Sequence, residues 1–165
     1  MASGLFTRPD AYGQTAPCSY PQPKSETMPE TEHPIIEKNL QVQSDLQVLS
    51  EVRGFLRKVF AGIPDDPVDR MELAANEVTA NIIKHAYRGQ PGQPISIRAT
   101  VQTDRICVSF IDHGNPFEPD EVPQPLFDGS QEGGFGIFIV SQVVDRFTYH
   151  PNENENRTKL CIFLP

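Results

Sequence analysis

Apolar positions recur along this chain with two different periods, and the change from one to the other draws the elements. Residues Ile35–Val42 read as a strand. Ser44 stands where a helix N-cap is expected, with Gln47 three residues on to complete a capping box. Leu46, Leu49, Val52, Leu56 and Phe60 trace the buried stripe of that helix, and Gly62 and Pro64 close it. Asp66 and Pro67 open a second helix, Asp as N-cap and Pro at the first helical position. Met71, Ala75, Val78 and Ile82 form its core stripe, and it ends near Tyr87–Gly89. Pro94–Gln102 and Asp104–Ile111 are two strands around a turn at Thr103 and Asp104, a hairpin. The long polar segment Asp112–Glu132 holds four prolines and Gly129 and shows no regular element; loops of that length tend to be functional or mobile. Ile137, Val140, Val144 and Phe147 return to helical spacing, and Phe147–His150 and Thr158–Leu164 finish as a hairpin around Pro151–Asn156.

The order β-α-α-β-β-loop-α-β-β predicts an α+β fold, a two-layer sandwich with a mostly antiparallel sheet and helices on one face. Residues 1–33 differ from the rest: Pro9, Pro17, Pro21, Pro23 and Pro29 are interleaved with Gly, Ser, Thr and Glu, and apolar residues are sparse. Such a stretch cannot bury enough surface to offset its ordering entropy, so it is expected to be a flexible tail ahead of one domain spanning 34–165.

Charge narrows the function. The 165 residues carry 22 acidic and 14 basic side chains, a formal net charge of −8, which argues against direct nucleic-acid binding. Three widely spaced cysteines, Cys18, Cys107 and Cys161, form no CxxC pair, so neither a zinc site nor a disulfide framework is expected. Cys107 and Cys161 fall in strand-like runs and read as buried structural thiols. No apolar run approaches the roughly 20 residues of a membrane span. With no signal-like start either, a reducing cytoplasm is the expected compartment and no membrane partner is implied.

The candidate chemistry lies in three places. Glu77 and Asn81 are one helical turn apart and share a face. A side-chain amide oxygen there can take part in holding Mg²⁺, and a carboxylate one turn away can accept a proton from an attacking hydroxyl. Taken alone, the pair also fits a solvated helix face. Asp112 ends a strand in which Ile106, Val108 and Phe110 share its face, so its carboxylate points at the core and needs a donor, such as the exocyclic amine of adenine. A turn-capping Asp is the plain alternative. Gly114 permits close approach to a flat ring or serves as an ordinary turn residue. Gly133, Gly134 and Gly136 precede a helix start, whose free N–H groups attract phosphate, although a glycine-rich linker looks the same in sequence. There is no GxxxxGK[ST] string, so a Walker-type site is absent. His85, Tyr87, His113 and His150 show no metal-ligand spacing.

Together these segments resemble a known family. Glu77–Tyr87 resembles the N-box of the GHKL ATPase/kinase superfamily, Asp112–Phe117 its G1 box and Gly133–Ile137 its G2 box. Within it, the chain most resembles the anti-sigma factor serine/threonine-protein kinases, over about Pro34 to Pro165. The resemblance implies a Bergerat-type ATP site between sheet and helices, with Asn81 holding Mg²⁺ and Glu77 as general base toward a substrate serine or threonine. It implies Asp112 on the adenine amine, Gly114 lining the base, Gly134 and Gly136 at the phosphates, and Thr158 near adenine. It also implies transfer of the γ-phosphoryl group to an anti-anti-sigma protein of the STAS fold, sequestration of a sigma factor in the alternate state, and a homodimer.

One departure bears on catalysis. Some members of that family carry a basic lid residue, whereas no Lys or Arg lies between Asp112 and Asp145 here. Phosphoryl transfer depends mainly on positioning and charge, so the missing cation matters. Lys84, Arg88 or a partner's cation are the available substitutes. The alternative to a kinase is a nucleotide-gated binding module with little catalysis, and a histidine-kinase catalytic domain is a third reading.

Overall fold

The structure is a computed structural model that describes residues 35–116 and 136–165, together with two short paired strands at Arg8–Pro9 and Thr15–Ala16. The expected tail and most of the Asp112–Glu132 segment otherwise lie outside the described residues.

Five strands form the main sheet: β1 (Ile36–Gln43), β2 (Pro94–Val101), β3 (Arg105–Asp112), β4 (Arg146–Pro151) and β5 (Asn156–Phe163). Their spatial order is β1-β2-β3-β5-β4, and every neighbouring pair is antiparallel. Helices α1 (Val48–Val59), α2 (Asp65–Asn81) and α3 (Gly136–Val143) complete a two-layer α+β sandwich, as the element order predicts. The two-residue period decides which side chains meet the helices. Ile95, Ile97 and Ala99 on β2, Ile106, Val108 and Phe110 on β3, and Leu160 and Ile162 on β5 are all buried in one core with Leu56, Met71 and Val140 from the helices. The expected stripe of α2 is buried throughout: Met71, Ala75, Val78 and Ile82.

The helices are tied to one another by arginines. Arg57 on α1 donates to Asp69 at 2.6 Å and to Glu72 at 2.9 Å, both on α2. Arg70 on α2 donates through Nε to the carbonyl of Val143 at 2.9 Å, satisfying an orphan carbonyl at the end of α3, and reaches Asp145 at 3.2 Å. These contacts set how α3 lies against α2.

Three local expectations are corrected. Ser44 is not the cap of α1: its hydroxyl is buried, donates to the Gln90 carbonyl at 2.5 Å and accepts from the Gln93 N–H at 2.9 Å, pinning the end of β1 to the turn before β2. Gln47 itself stands at the N-cap of α1 with no side-chain cap; ahead of it Asp45 accepts the Gln47 N–H at 2.8 Å, and Leu46 is left 48% exposed instead of joining the stripe. Helix α2 begins at Asp65, with Pro64 as N-cap, so Pro67 sits inside the first turn, where its missing N–H has no helical partner to lose. Finally, Cys107 and Cys161 are not separate thiols: they stand directly opposite each other on β3 and β5 and are joined in a disulfide. Both are buried, as expected, but on the sheet face turned away from the helices.

Candidate functional site

The inner face of the sheet is apolar until its last rungs. On β3 the row Ile106, Val108, Phe110 ends in Asp112, and on β5 the row Ile162, Leu160 ends in Thr158 and Asn156. Asp112 pairs with Asn156 and Phe110 with Thr158, so three polar side chains share the end of an otherwise hydrocarbon surface. All three are buried, Asp112 to 2% exposure. A carboxylate in that position is costly unless hydrogen-bonded. Its Oδ1 accepts from the Gly114 N–H at 2.9 Å and from the Asn156 amide at 2.9 Å. Both donations found among the described residues converge on that one oxygen.

The loop after Asp112 docks on the end of the second helix. There α2 runs into a π-helical turn, Ile82–Ala86, closed by the Tyr87 N–H on the Ile82 carbonyl at 2.9 Å. The Ala86 carbonyl, unpaired because the helix ends there, accepts from the Asn115 N–H at 2.8 Å. Gly114 lies against the same peptide: a Cβ there would sit 2.5 Å from the Ala86 carbonyl carbon and 2.6 Å from its oxygen. The absence of a side chain is therefore explained by contact with protein backbone. The His113 N–H donates to the Tyr87 hydroxyl at 2.8 Å, which in turn donates to the Pro94 carbonyl at 2.6 Å. Burial pushes the Tyr87 phenol above its ordinary range, the His113 hydrogen bond pulls it back, and the charge of Asp112 adds to the rise.

In the last turn of α2, just ahead of that π-helical turn, Glu77 and Asn81 face the start of α3. A Cβ on Gly136 would lie 2.8 Å from Glu77 Oε2 and 3.1 Å from Asn81 Nδ2. The glycine is thus what lets the first residue of α3 reach the carboxylate and amide. Both side chains are half-buried, consistent with a face turned toward α3 instead of open solvent. Gly133 and Gly134 lie outside the described residues. Lys84, His85 and Arg88 are exposed, and Arg88 adopts a left-handed φ of 52° as the helix ends.

The structure thus brings Glu77, Asn81 and Gly136 together in one group, and Asp112, Gly114 and Thr158 in another at the sheet's end. Asn156 was not foreseen: it lies outside the three boxes, in a turn-like Asn-Glu-Asn-Glu-Asn string, and only the strand register reveals its partner. A cavity of about 430 Å³ opens beside the docked loop, lined by Tyr87, Arg88, Gln90, His113 and Glu153 among others. Of the expected site residues only Gly114 touches it, so the cavity does not coincide with the polar end of the sheet. Among the described residues no cluster of three or more His, Cys, Asp or Glu side chains is placed to hold a metal.

Comparison with known proteins agrees with this architecture. The RsbU and RsbW domains of a Mycobacterium tuberculosis protein superpose with a TM-score of 0.59 at 15% identity, covering 79% of this chain and 33% of that one. The serine-protein kinase RsbW of Bacillus subtilis is 28% identical over 109 residues, 58% of this chain and 68% of the relative. The enzyme of the same name from Staphylococcus aureus is 25% identical over 122 residues, 67% of this chain and 77% of the relative. The fold is that of a GHKL-type ATPase domain. The profile described as histidine kinase-like ATPase domain matches residues 42–162, and the chain belongs to that family. ATP use follows from that membership.

Proposed function

We propose that this domain is an ATP-dependent serine-protein kinase that phosphorylates an anti-anti-sigma protein of the STAS fold and, in the alternate state, sequesters a sigma factor. The observation that carries the proposal is the meeting of Glu77, Asn81 and Gly136, with the buried Asp112 carboxylate at the end of the same sheet-helix layer.

The residues present fit an adenine nucleotide with magnesium. Asp112 is a buried acceptor with one oxygen engaged by protein, as an amine-bearing base requires. Bound Mg-ATP supplies the transferable γ-phosphoryl group and the cationic charge that offsets its oxygens. Asn81 would offer its amide oxygen to the magnesium. Glu77, one turn away, accepts the proton of the substrate hydroxyl. Gly136 allows the first backbone N–H groups of α3, unpaired within the helix, to stand next to both side chains and face anionic oxygens. Thr158 sits beside Asp112 on the base side, and Gly134 belongs with Gly136 at the phosphates. In this reading the protein works as a homodimer in the cytoplasm.

The test is incubation of the purified protein with γ-labelled ATP, Mg²⁺ and a STAS-fold partner. Label on a serine or threonine of the partner is the expected result. ATP binding without any transfer would replace the kinase with a nucleotide-gated binding module. Absence of ATP binding would remove both.

A further inference from the structure

The side chain that holds Asp112 belongs to no motif. Asn156 is buried to 2% exposure, directly across from Asp112 on the neighbouring strand. Its Nδ2 donates to Asp112 Oδ1 at 2.9 Å and to the Gly114 carbonyl at 3.0 Å. An amide nitrogen carries two protons, and each has an acceptor here. The orientation of the amide is thereby determined, because turning it over would set its oxygen against a carboxylate and a carbonyl. Gly114 closes the ring by donating its own N–H back to Asp112 Oδ1 at 2.9 Å.

Two consequences follow. With two donors on one oxygen, the carboxylate plane is fixed and its second oxygen, Oδ2, has a single direction to offer. Asn156 Oδ1, at the other end of the amide, is buried and has no hydrogen-bond partner among the described residues. Buried acceptors are rarely left that way, so this oxygen calls for a donor from a ligand or a bound water.

We propose that Asn156 is the positioning residue for base selectivity: it orients Asp112 so that Oδ2 accepts from the exocyclic amine of a 6-aminopurine and repels the carbonyl of a 6-oxopurine. The proposal rests on the nucleotide reading above and deepens it. Asp112 contacts the base; Asn156 acts through it. An ionised carboxylate is an acceptor only, so an acceptor on the base at that position leaves both groups unpaired and set against each other. Selectivity of this kind depends on the carboxylate being unable to swing aside, and Asn156 removes that freedom.

Dissociation constants for Mg-ATP and Mg-ITP, measured by calorimetry, test this on the whole chain. Wild type should bind ATP more tightly than ITP by roughly tenfold to a hundredfold, the worth of one hydrogen bond to a charged group. Asn156→Ala should lose affinity for ATP and leave ITP nearly unchanged, shrinking the ratio toward one. Asn156→Ser, which keeps a single donor, should give an intermediate ratio and supplies a second measurement if the alanine variant folds poorly. A merely structural role would weaken both nucleotides together; an unchanged ratio in either folded variant overturns the proposal. Wild type that binds ITP as tightly as ATP overturns it with the nucleotide site intact. Wild type that binds neither nucleotide removes the underlying reading as well.

Discussion

Gly114 is packed against the backbone of Ala86 so closely that a methyl group would lie 2.5 Å from the carbonyl carbon. The loop carrying the adenine-facing candidate Asp112 and the end of the helix carrying Asn81 are therefore one joined unit. Gly114→Ala forces backbone apart, because no flexible side chain can yield. The expected cost is about 1–3 kcal/mol, typical of overpacking. The same displacement breaks the hydrogen bonds of Asn115 to Ala86 and of Gly114 to Asp112, so ATP affinity falls as well. Urea unfolding and calorimetric titration check the two effects.

Glu77 and Asn81 are predicted to separate in their effects. Glu77→Gln keeps the shape of the side chain beside Gly136 but removes the proton acceptor. Transfer to the partner should fall by about 10²–10⁴, the usual range for a general base. ATP affinity should stay within about twofold, since the base acts in transfer and not in binding. Asn81→Ala should instead weaken Mg-ATP binding itself. Paired kinase and calorimetric assays distinguish them; native-rate transfer by Glu77→Gln would sink the base assignment.

Tyr87 should give the protein an alkaline stability slope. Its folded pKa is raised, chiefly by burial, above an unfolded value of about 10. The folded state therefore favours the neutral phenol. Its contribution is fully present below that unfolded value and is lost as pH rises through the folded one. Tyr87→Phe removes this slope and costs about 1–3 kcal/mol at neutral pH, because the His113 N–H and Pro94 carbonyl lose their partner. Denaturant unfolding from pH 8 to 11 for both proteins measures the difference.

The cysteine pair makes a countable prediction. Protein purified without reductant should show one reactive thiol in denaturant, Cys18, and three after reduction. Closing a loop across the 54-residue separation is worth about 4 kcal/mol by chain entropy. Cys161→Ser should be less stable than the oxidised wild type by about 2–5 kcal/mol and equal to the reduced wild type within about 1 kcal/mol. In a reducing compartment the two sulfurs stand opposite each other as thiols. Three reactive thiols without reductant would remove the link.

What the sequence made legible was local. The inward direction of Asp112 follows from alternation along one strand, and the burial of Met71, Ala75, Val78 and Ile82 follows from helical spacing. What it withheld depends on pairings between distant segments. Cys107 meets Cys161, and Asp112 meets Asn156, only because β5 lies beside β3 in a register that no local pattern encodes. Ser44 carries the ordinary signature of a helix cap, yet bonds to a turn 46 residues away. The packing of Gly114 on the Ala86 peptide was equally out of reach, because it depends on the widened turn at the end of the second helix.

That widened turn has a geometric consequence. An i→i+5 closure adds one residue to the spiral, which rotates everything after it by about 100° relative to an unbroken helix. Asn81 precedes the offset and looks toward α3, while Tyr87 follows it and looks toward the rim of the sheet. A single rod can in this way furnish two walls that a uniform winding would leave out of phase. The surplus residue is an angular gear between those two faces, and its loss would leave one aimed correctly and the other turned aside.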